Sequence, residues 1–194
     1  MEPMAAMGRF DVEARPMSAT ASRSSRESAF DALFAEYSGP VYSYVLRMVG
    51  DVDRARDITQ DTFIKAYRHL DTLTEPAATH AWIYRIASNT AIDEMRRRRF
   101  VTPMGDDPGT YDRADAHPGP EDEVLARSLD ERLQRALLRL RANHRQCLVL
   151  SDLQDMSAQQ IGEVMGMSHG AVRTLLCRAR GEMRRELARE GIGA

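Results

Sequence analysis

At 194 residues, 43% hydrophobic and 29% charged, the chain has the composition of a globular protein with room for one ordinary domain or two small ones. Two cysteines, Cys147 and Cys177, are too few for a disulfide framework or a four-ligand zinc site, and no run of about 18 apolar residues is present to span a membrane. The net charge of −2 conceals a division: residues 1–100 balance 14 basic against 14 acidic side chains, residues 101–124 carry −6, and residues 125–194 carry +4. The N-terminus lacks the apolar run of a signal peptide, so the expected compartment is the cytoplasm.

Taken in order, the first 26 residues, ending in "MSATASRSSR", read as a disordered extension. From Ser28 to Val49 the apolar positions Phe30, Leu33, Phe34, Tyr37, Val41, Tyr44, Val45 and Met48 recur at helical spacing, with Gly39-Pro40 as a kink or a junction between two helices. Gly50 stops this helix and Asp51 caps the next, "VDRARDITQDTFIKAYRHL", whose apolar face is Ala55, Ile58, Phe63, Ala66 and Tyr67. A loop over 71–79 leads into a third helix, "AWIYRIASNTAIDEMRRRR" (81–99).

The faces of that third helix have different chemistry. Ile83, Ile86, Ala87 and Thr90 form its core stripe, while Arg85, Asn89 and Arg96 fall together on another side. Asp93 stands four residues before Arg97, a spacing at which the two can pair. Arg96 to Arg99 crowd the last turn. The helix macrodipole accounts for one or two cations there, but four adjacent like charges repel one another and call for an anionic partner.

The acidic segment "TPMGDDPGTYDRADAHPGPEDE" has too little apolar surface to fold by itself and reads as a linker over 101–123. Four further helices are predicted near 123–140, 144–153, 158–165 and 168–187. In "SAQQIGEVMGMSHGAVRTLLCRAR" Ser157 caps a short helix with Ile161, Val164 and Met165 inside, Gly166 makes a tight turn and Met167 fills the corner. Ser168 then caps a second helix that turns Val172, Leu175 and Leu176 inward. This is the pattern of a helix-turn-helix, with His169, Arg173, Thr174, Cys177 and Arg178 available to a major groove. Arginine can bind guanine bidentately, and Thr174 and Cys177 can touch base edges or thymine methyls. No alternating strand pattern occurs anywhere, so the fold class is all-α.

Three stretches, in this order, resemble the extracytoplasmic-function (ECF, group IV) sigma factors of bacterial RNA polymerase, members of the sigma-70 family. "ARDITQDTFIKAY" (55–67) is similar to region 2.2, "AWIYRIASNTAIDEMRRRR" to regions 2.3 and 2.4, and residues 136–180 to region 4. The resemblance implies two small helical domains, region 2 over 27–100 and region 4 over 124–190, joined by the acidic linker. That linker would take the place of the family's threaded connector, or serve as a spacer that repels DNA.

The resemblance also implies roles. Asp57, Gln60, Asp61 and Phe63 match the surface that docks on the clamp helices of the polymerase's largest subunit. Asn89 matches a position that holds a base flipped from the melted −10 element, with Arg85, Asp93, Arg96 and Arg97 extending that surface and loop 71–80 preceding it. Trp82 and Tyr84 either stack on bases or belong to the core. Ser168, His169, Arg173, Thr174, Cys177 and Arg178 match the side that faces the duplex −35 element. Departures occur: Arg56 stands where the family usually has Glu, Arg141 where proline is common, Gly162 where alanine is usual, and Leu175 where a basic residue is usual. Promoter DNA, core polymerase and an anti-sigma protein are the implied partners, with no membrane insertion and no cofactor.

No phosphate-cradling glycine loop or nucleophile elbow is present, so the chain is expected to direct another enzyme's chemistry and perform none. His144 and Cys147 form an isolated H-x-x-C with no second pair for zinc, and no metal site is expected. Two other readings stay open from the residues alone: a stand-alone helix-turn-helix regulator that binds operators, and a helical interaction protein with incidental basic ends.

Overall fold

The computed structural model describes residues 19–73, 78–101 and 121–192. All regular structure among them is helical: α1 (Ala19–Val49), α2 (Val52–His69), a 3-10 turn (Leu70–Thr72), α3 (Thr79–Val101), α4 (Glu121–Arg139), α5 (Ala142–Leu148) running into a π turn (Val149–Leu153), α6 (Ala158–Met165) and α7 (His169–Arg189). Helices α1–α3 make one unit and α4–α7 another.

Two boundaries differ from the sequence reading, and of the two alternatives at Gly39-Pro40 the junction between separate helices is excluded. Helix α1 begins at Ala19, inside the stretch expected to be disordered, and Arg26 ties it to α2 through the Tyr67 carbonyl (2.7 Å) and Asp71 (3.1 Å). Residues 1–18 of the expected extension lie outside the described residues. Pro40 lies within α1 without dividing it into two helices. Gly39, Pro40 and Glu36 are all exposed, so the carbonyl that proline leaves without a donor can turn to water. Helix α3 runs to Val101 and α4 starts at Glu121, which shortens the expected linker at both ends; its residues 102–120 lie outside the described residues.

The first unit is held by packing of long helices. Leu33, Val41, Val45 and Met48 of α1 meet Ile58 and Ala66 of α2 and Ile83 and Ala87 of α3, all buried. The polar exceptions are paired. The buried Tyr44 hydroxyl bonds Ser88 Oγ at 2.7 Å, and its ring meets Tyr84 edge-on at 5.3 Å. Burial pushes the Tyr44 phenol far above its ordinary value, so it stays a neutral hydrogen-bonding group. Lys65, the single lysine of the chain, reaches across from α2 to Thr90 Oγ1 at 3.0 Å.

The second unit is punctuated more locally. Ser157 and Gln160 form a reciprocal capping box at the start of α6, and Gly166 closes that helix at φ 66°. Ser168 accepts from the Ala171 N–H to start α7. At the far end, Arg135 and Arg139 of α4 grip Glu190 at 3.0 and 2.6 Å, so the end of α7 is tied back to α4. Partial burial pushes the Glu190 carboxyl up, but the two guanidinium groups outweigh it and hold the group below its ordinary range.

Candidate nucleic-acid interface

Helix α3 is buried along two stripes. Ile83, Ala87 and Thr90 face the core as the periodicity predicts, but Tyr84, Ser88 and Ala91 are buried as well. What remains outside is narrow. Arg85, Asn89 and Arg96 are exposed, and at about 100° per residue they project from one side of the helix. Asp93, partly buried, pairs with Arg96 at 3.1 Å and not with Arg97; Arg97 lies 3.9 Å from Glu94. Both pairs are i,i+3, so the expected i,i+4 pairing of Asp93 is replaced by its shorter-range neighbour. Each acidic residue restrains one arginine while leaving it exposed. The side chains of Arg98 and Arg99 and loop residues 74–77 lie outside the described residues.

The two aromatic residues at the head of α3 belong to the core. Trp82 is buried and donates its indole N–H to Thr72 Oγ1 at 3.2 Å. Tyr84 has no exposed surface, and its hydroxyl bonds Gln154. Neither offers a face on which a base could stack in this arrangement. Their polar tips fix the 3-10 turn before α3 and the segment before α6.

In α7 the division between faces is sharp. Val172, Leu175 and Ala179 are buried, while Ser168, His169, Arg173, Thr174, Cys177 and Arg178 are all exposed. Leu175, where a basic residue is usual in the resembled pattern, is therefore a core residue that cannot contact phosphate. Thr174 donates its hydroxyl to the Gly170 carbonyl at 3.1 Å, and the oxygen keeps its accepting lone pairs. Gly162 has a packing reason. A Cβ there would lie 2.6 Å from the Met167 carbonyl oxygen, which accepts no such approach, and that same turn is closed by the Met167 N–H bonding the Gly162 carbonyl at 2.9 Å.

On α2, Asp57, Gln60 and Asp61 are exposed together, one turn apart. Phe63 is only 4% exposed, so it is no protruding anchor. It floors an apolar groove of about 500 Å³ between α1 and α2, lined also by Phe30, Phe34, Ile64 and Tyr67, with Gln60 at its lip. Phe34 is 48% exposed there. Phe30 and Phe34 belong to the helically spaced apolar positions of α1, and Phe30 packs against the core while Phe34 does not. Their i,i+4 aromatic spacing carries no sign of which aromatic would lack a covering neighbour. Arg56 pairs with Asp53 at 3.1 Å, which partly offsets its positive charge beside this face.

A second apolar groove, of about 290 Å³, lies between α4, the π turn and the C-terminal half of α7, lined by Leu133, Leu137, Leu153, Met183 and Leu187. Its lining comes from three separate elements, which no local sequence pattern brings together. His144 and Cys147 do not converge. His144 Nδ1 bonds Glu182, whereas Cys147 is buried and desolvation pushes its thiol up to about 11. Among the described residues no cluster of three metal-ligating side chains occurs, and no helix is long and apolar enough to cross a membrane.

Residues 33–101 match the family model for sigma-70 region 2, and residues 130–183 match that for sigma-70 region 4. Over 168 residues the chain is 30% identical to the ECF RNA polymerase sigma factor SigW of Bacillus subtilis, covering 83% of this chain and 90% of SigW. The chain belongs to the ECF sigma factors. It is also 33% identical over 165 residues to the ECF sigma factor SigL of Mycobacterium tuberculosis, covering 83% of this chain and 90% of SigL. Among solved structures its fold resembles that of the sigma factor RpoE of Bartonella quintana in complex with the anti-sigma factor NepR (TM-score 0.65, 22% identity, 82% of this chain and 97% of that one). As an ECF sigma factor the protein binds core RNA polymerase and directs transcription initiation, and it is not itself an enzyme.

Proposed function

We propose that this sigma factor divides promoter recognition between its two units. Residues 27–100 dock on polymerase and hold the melted −10 element, and residues 124–190 read the duplex −35 element. The observation that carries the reading is the pair of exposed polar faces, Arg85/Asn89/Arg96 on α3 and Ser168 to Arg178 on α7, each on a helix whose other sides are buried. Asn89 supplies a donor and an acceptor for the edge of an unpaired base. Arg85, Arg96 and Arg97 contact the flanking phosphates, with Asp93 orienting Arg96. On α7, Arg173 and Arg178 contact guanine edges or phosphates, Thr174 and Cys177 meet bases, and Ser168 and His169 sit where helix N–H groups attract a phosphate.

Polymerase docking uses α2. Asp57, Gln60 and Asp61 form a face suited to arginines of the clamp helices, and the adjacent groove over Phe63 receives an apolar side chain from the same helices. The groove of the second unit is assigned to another core surface. It draws on the C-terminal half of α7, so polymerase can hold this unit without covering its DNA face. The expected compartment is the cytoplasm, and an anti-sigma protein is the expected regulator, as NepR is for the RpoE it was solved with. Purification from cells with no stoichiometric inhibitor attached would count against that partner.

The test is in vitro transcription on fragmented DNA from the source organism, with core polymerase, with and without the protein. Discrete start sites appearing only with the protein are expected, preceded by two shared sequence elements. Binding to duplex DNA without polymerase, and no new starts with it, would point instead to an operator-binding regulator.

A further inference from the structure

Among the described residues five large apolar side chains stay exposed, and three of them, Phe34, Ile64 and Tyr67, line the groove between α1 and α2. Its wall is aromatic. Phe30 meets Tyr67 edge-on at 5.1 Å, and Phe34 meets Phe63 edge-on at 4.9 Å. Single exposed apolar residues are ordinary, but a contiguous set marks a surface that something covers.

The start of α1 lies at one end of this groove. Only Gly50 and Asp51 separate α1 from α2, so the two helices run antiparallel. Arg26 fastens the start of α1 to the end of α2, with its guanidinium 5.0 Å from the Tyr67 ring centre and 3.1 Å from Asp71. Arg26 Nε is buried there with no acceptor among the described residues. Arg68 lines the same end of the groove and is exposed. Phe30 and Phe34 stand about 17 and 23 Å along α1 from Ala19. Residues 11–18, drawn out fully, reach about 26 Å, so the residues before them can return along the groove.

The sequence of that stretch, which lies outside the described residues, suits the groove. In "MEPMAAMGRFD" (1–11), Met4, Met7 and Phe10 recur every third residue, a spacing that gathers them on one side of a helical turn. Methionine is a flexible filler whose sulfur makes favourable contacts with aromatic rings.

We propose that residues 4–10 of the same chain occupy this groove in the free protein, and that core polymerase must displace them to dock. The proposal rests on the reading of the groove as a polymerase surface given above. The segment offers what that reading asks of the clamp helices: apolar side chains for the groove, and in Arg9 an arginine for Asp57 and Asp61. One occupant therefore excludes the other. Asp11 follows Phe10 directly and comes to the end of the groove that holds Arg68, so charge favours the same direction of return. Polymerase affinity then falls in proportion to the fraction of chains left uncovered.

The test places p-benzoylphenylalanine at Phe10 of the full chain and maps the adducts formed on illumination. Adducts within one chain, to Phe30, Phe34 or residues 60–67, are expected, and core polymerase should suppress them. No adduct in the groove, or adducts joining two chains, would overturn the proposal. A further chain carries Met4→Ser, Met7→Ser and Phe10→Ser together, all outside α1–α7. It should half-saturate core polymerase at about five- to tenfold lower concentration, with helical content unchanged, if the uncovered form is a minor population. Native affinity in that chain would show that the segment does not compete, and would overturn the proposal as well. Adding Ile64→Asp to the serine-substituted chain separates the two readings. Weaker polymerase binding is expected, whereas undiminished binding would sink the docking role of the groove and leave the adducts standing.

Discussion

The two units position a reading helix by different means. In the first, α3 is a 23-residue helix gripped along two stripes by α1, α2 and the second unit, and its orientation follows from tertiary burial of Ile83, Tyr84, Ala87 and Ser88. In the second, α7 is aimed by chemistry at its own start: the Ser157 capping box, the left-handed Gly166, the Gly162–Met167 approach and the Ser168 cap. Packing can hold a surface that must trap flexible unpaired bases, because the rigidity comes from the whole unit. A turn with local caps fixes the angle between two short helices, which is what insertion into a duplex groove requires.

Core truncation in the first unit should therefore have the largest effect. Ile83→Ala is expected to lower stability by about 3 kcal/mol, read as an earlier urea transition in the fluorescence of Trp82, the single tryptophan. A shift equivalent to less than about 1 kcal/mol would remove packing as the cause of α3's orientation. Gly162→Ala comes next. Alanine gains about 1 kcal/mol of helix propensity, but the collision with a backbone oxygen costs about 1–3 kcal/mol, so net destabilisation of up to about 2 kcal/mol is expected. A more stable Gly162→Ala protein, measured by the circular-dichroism transition, would show that the turn has slack. Ser157→Ala should cost about 1 kcal/mol and show first as faster hydrogen exchange at the start of α6.

The smallest perturbation is chemical labelling, which leaves the fold alone. Cys177 is exposed on the reading face, whereas the Cys147 thiol is buried and raised to about 11. One equivalent of alkylating reagent is expected to react at pH 8, at Cys177, and core polymerase with promoter DNA should slow it. Equal reaction of both thiols in the folded chain would contradict the packing of α5.

Legibility in the sequence follows the same division. The caps Asp51, Ser157 and Ser168, the turn at Gly166 and the exposed run on α7 are local patterns and were readable from neighbouring residues. So was the Arg85/Asn89/Arg96 face, because a single helical period separates it from the core stripe. What was not readable depends on distant partners. The second buried stripe of α3 exists because Tyr84 finds Tyr44 and Gln154, 40 and 70 residues away. Phe34 looks like a core residue until no helix covers it, and Gly162 looks like a poor helix former until Met167 folds back over it. Gln134 and Arg145 read as ordinary polar residues of amphipathic helices, and only the end of α1 gives them a role.

The division of labour between α3 and α7 is tested most directly by measuring holoenzyme binding to two separate probes. One is the single-stranded non-template −10 sequence and the other is duplex −35 DNA, both taken from a promoter that the protein activates. Asn89→Ala should weaken the single-strand probe about 10- to 100-fold and leave the duplex probe unchanged, and Arg173→Ala should do the reverse, as expected for loss of a contact worth about 1–3 kcal/mol. Equal losses on both probes from either substitution, or losses exchanged between the two, would contradict the assignment of melted DNA to the first unit and duplex DNA to the second.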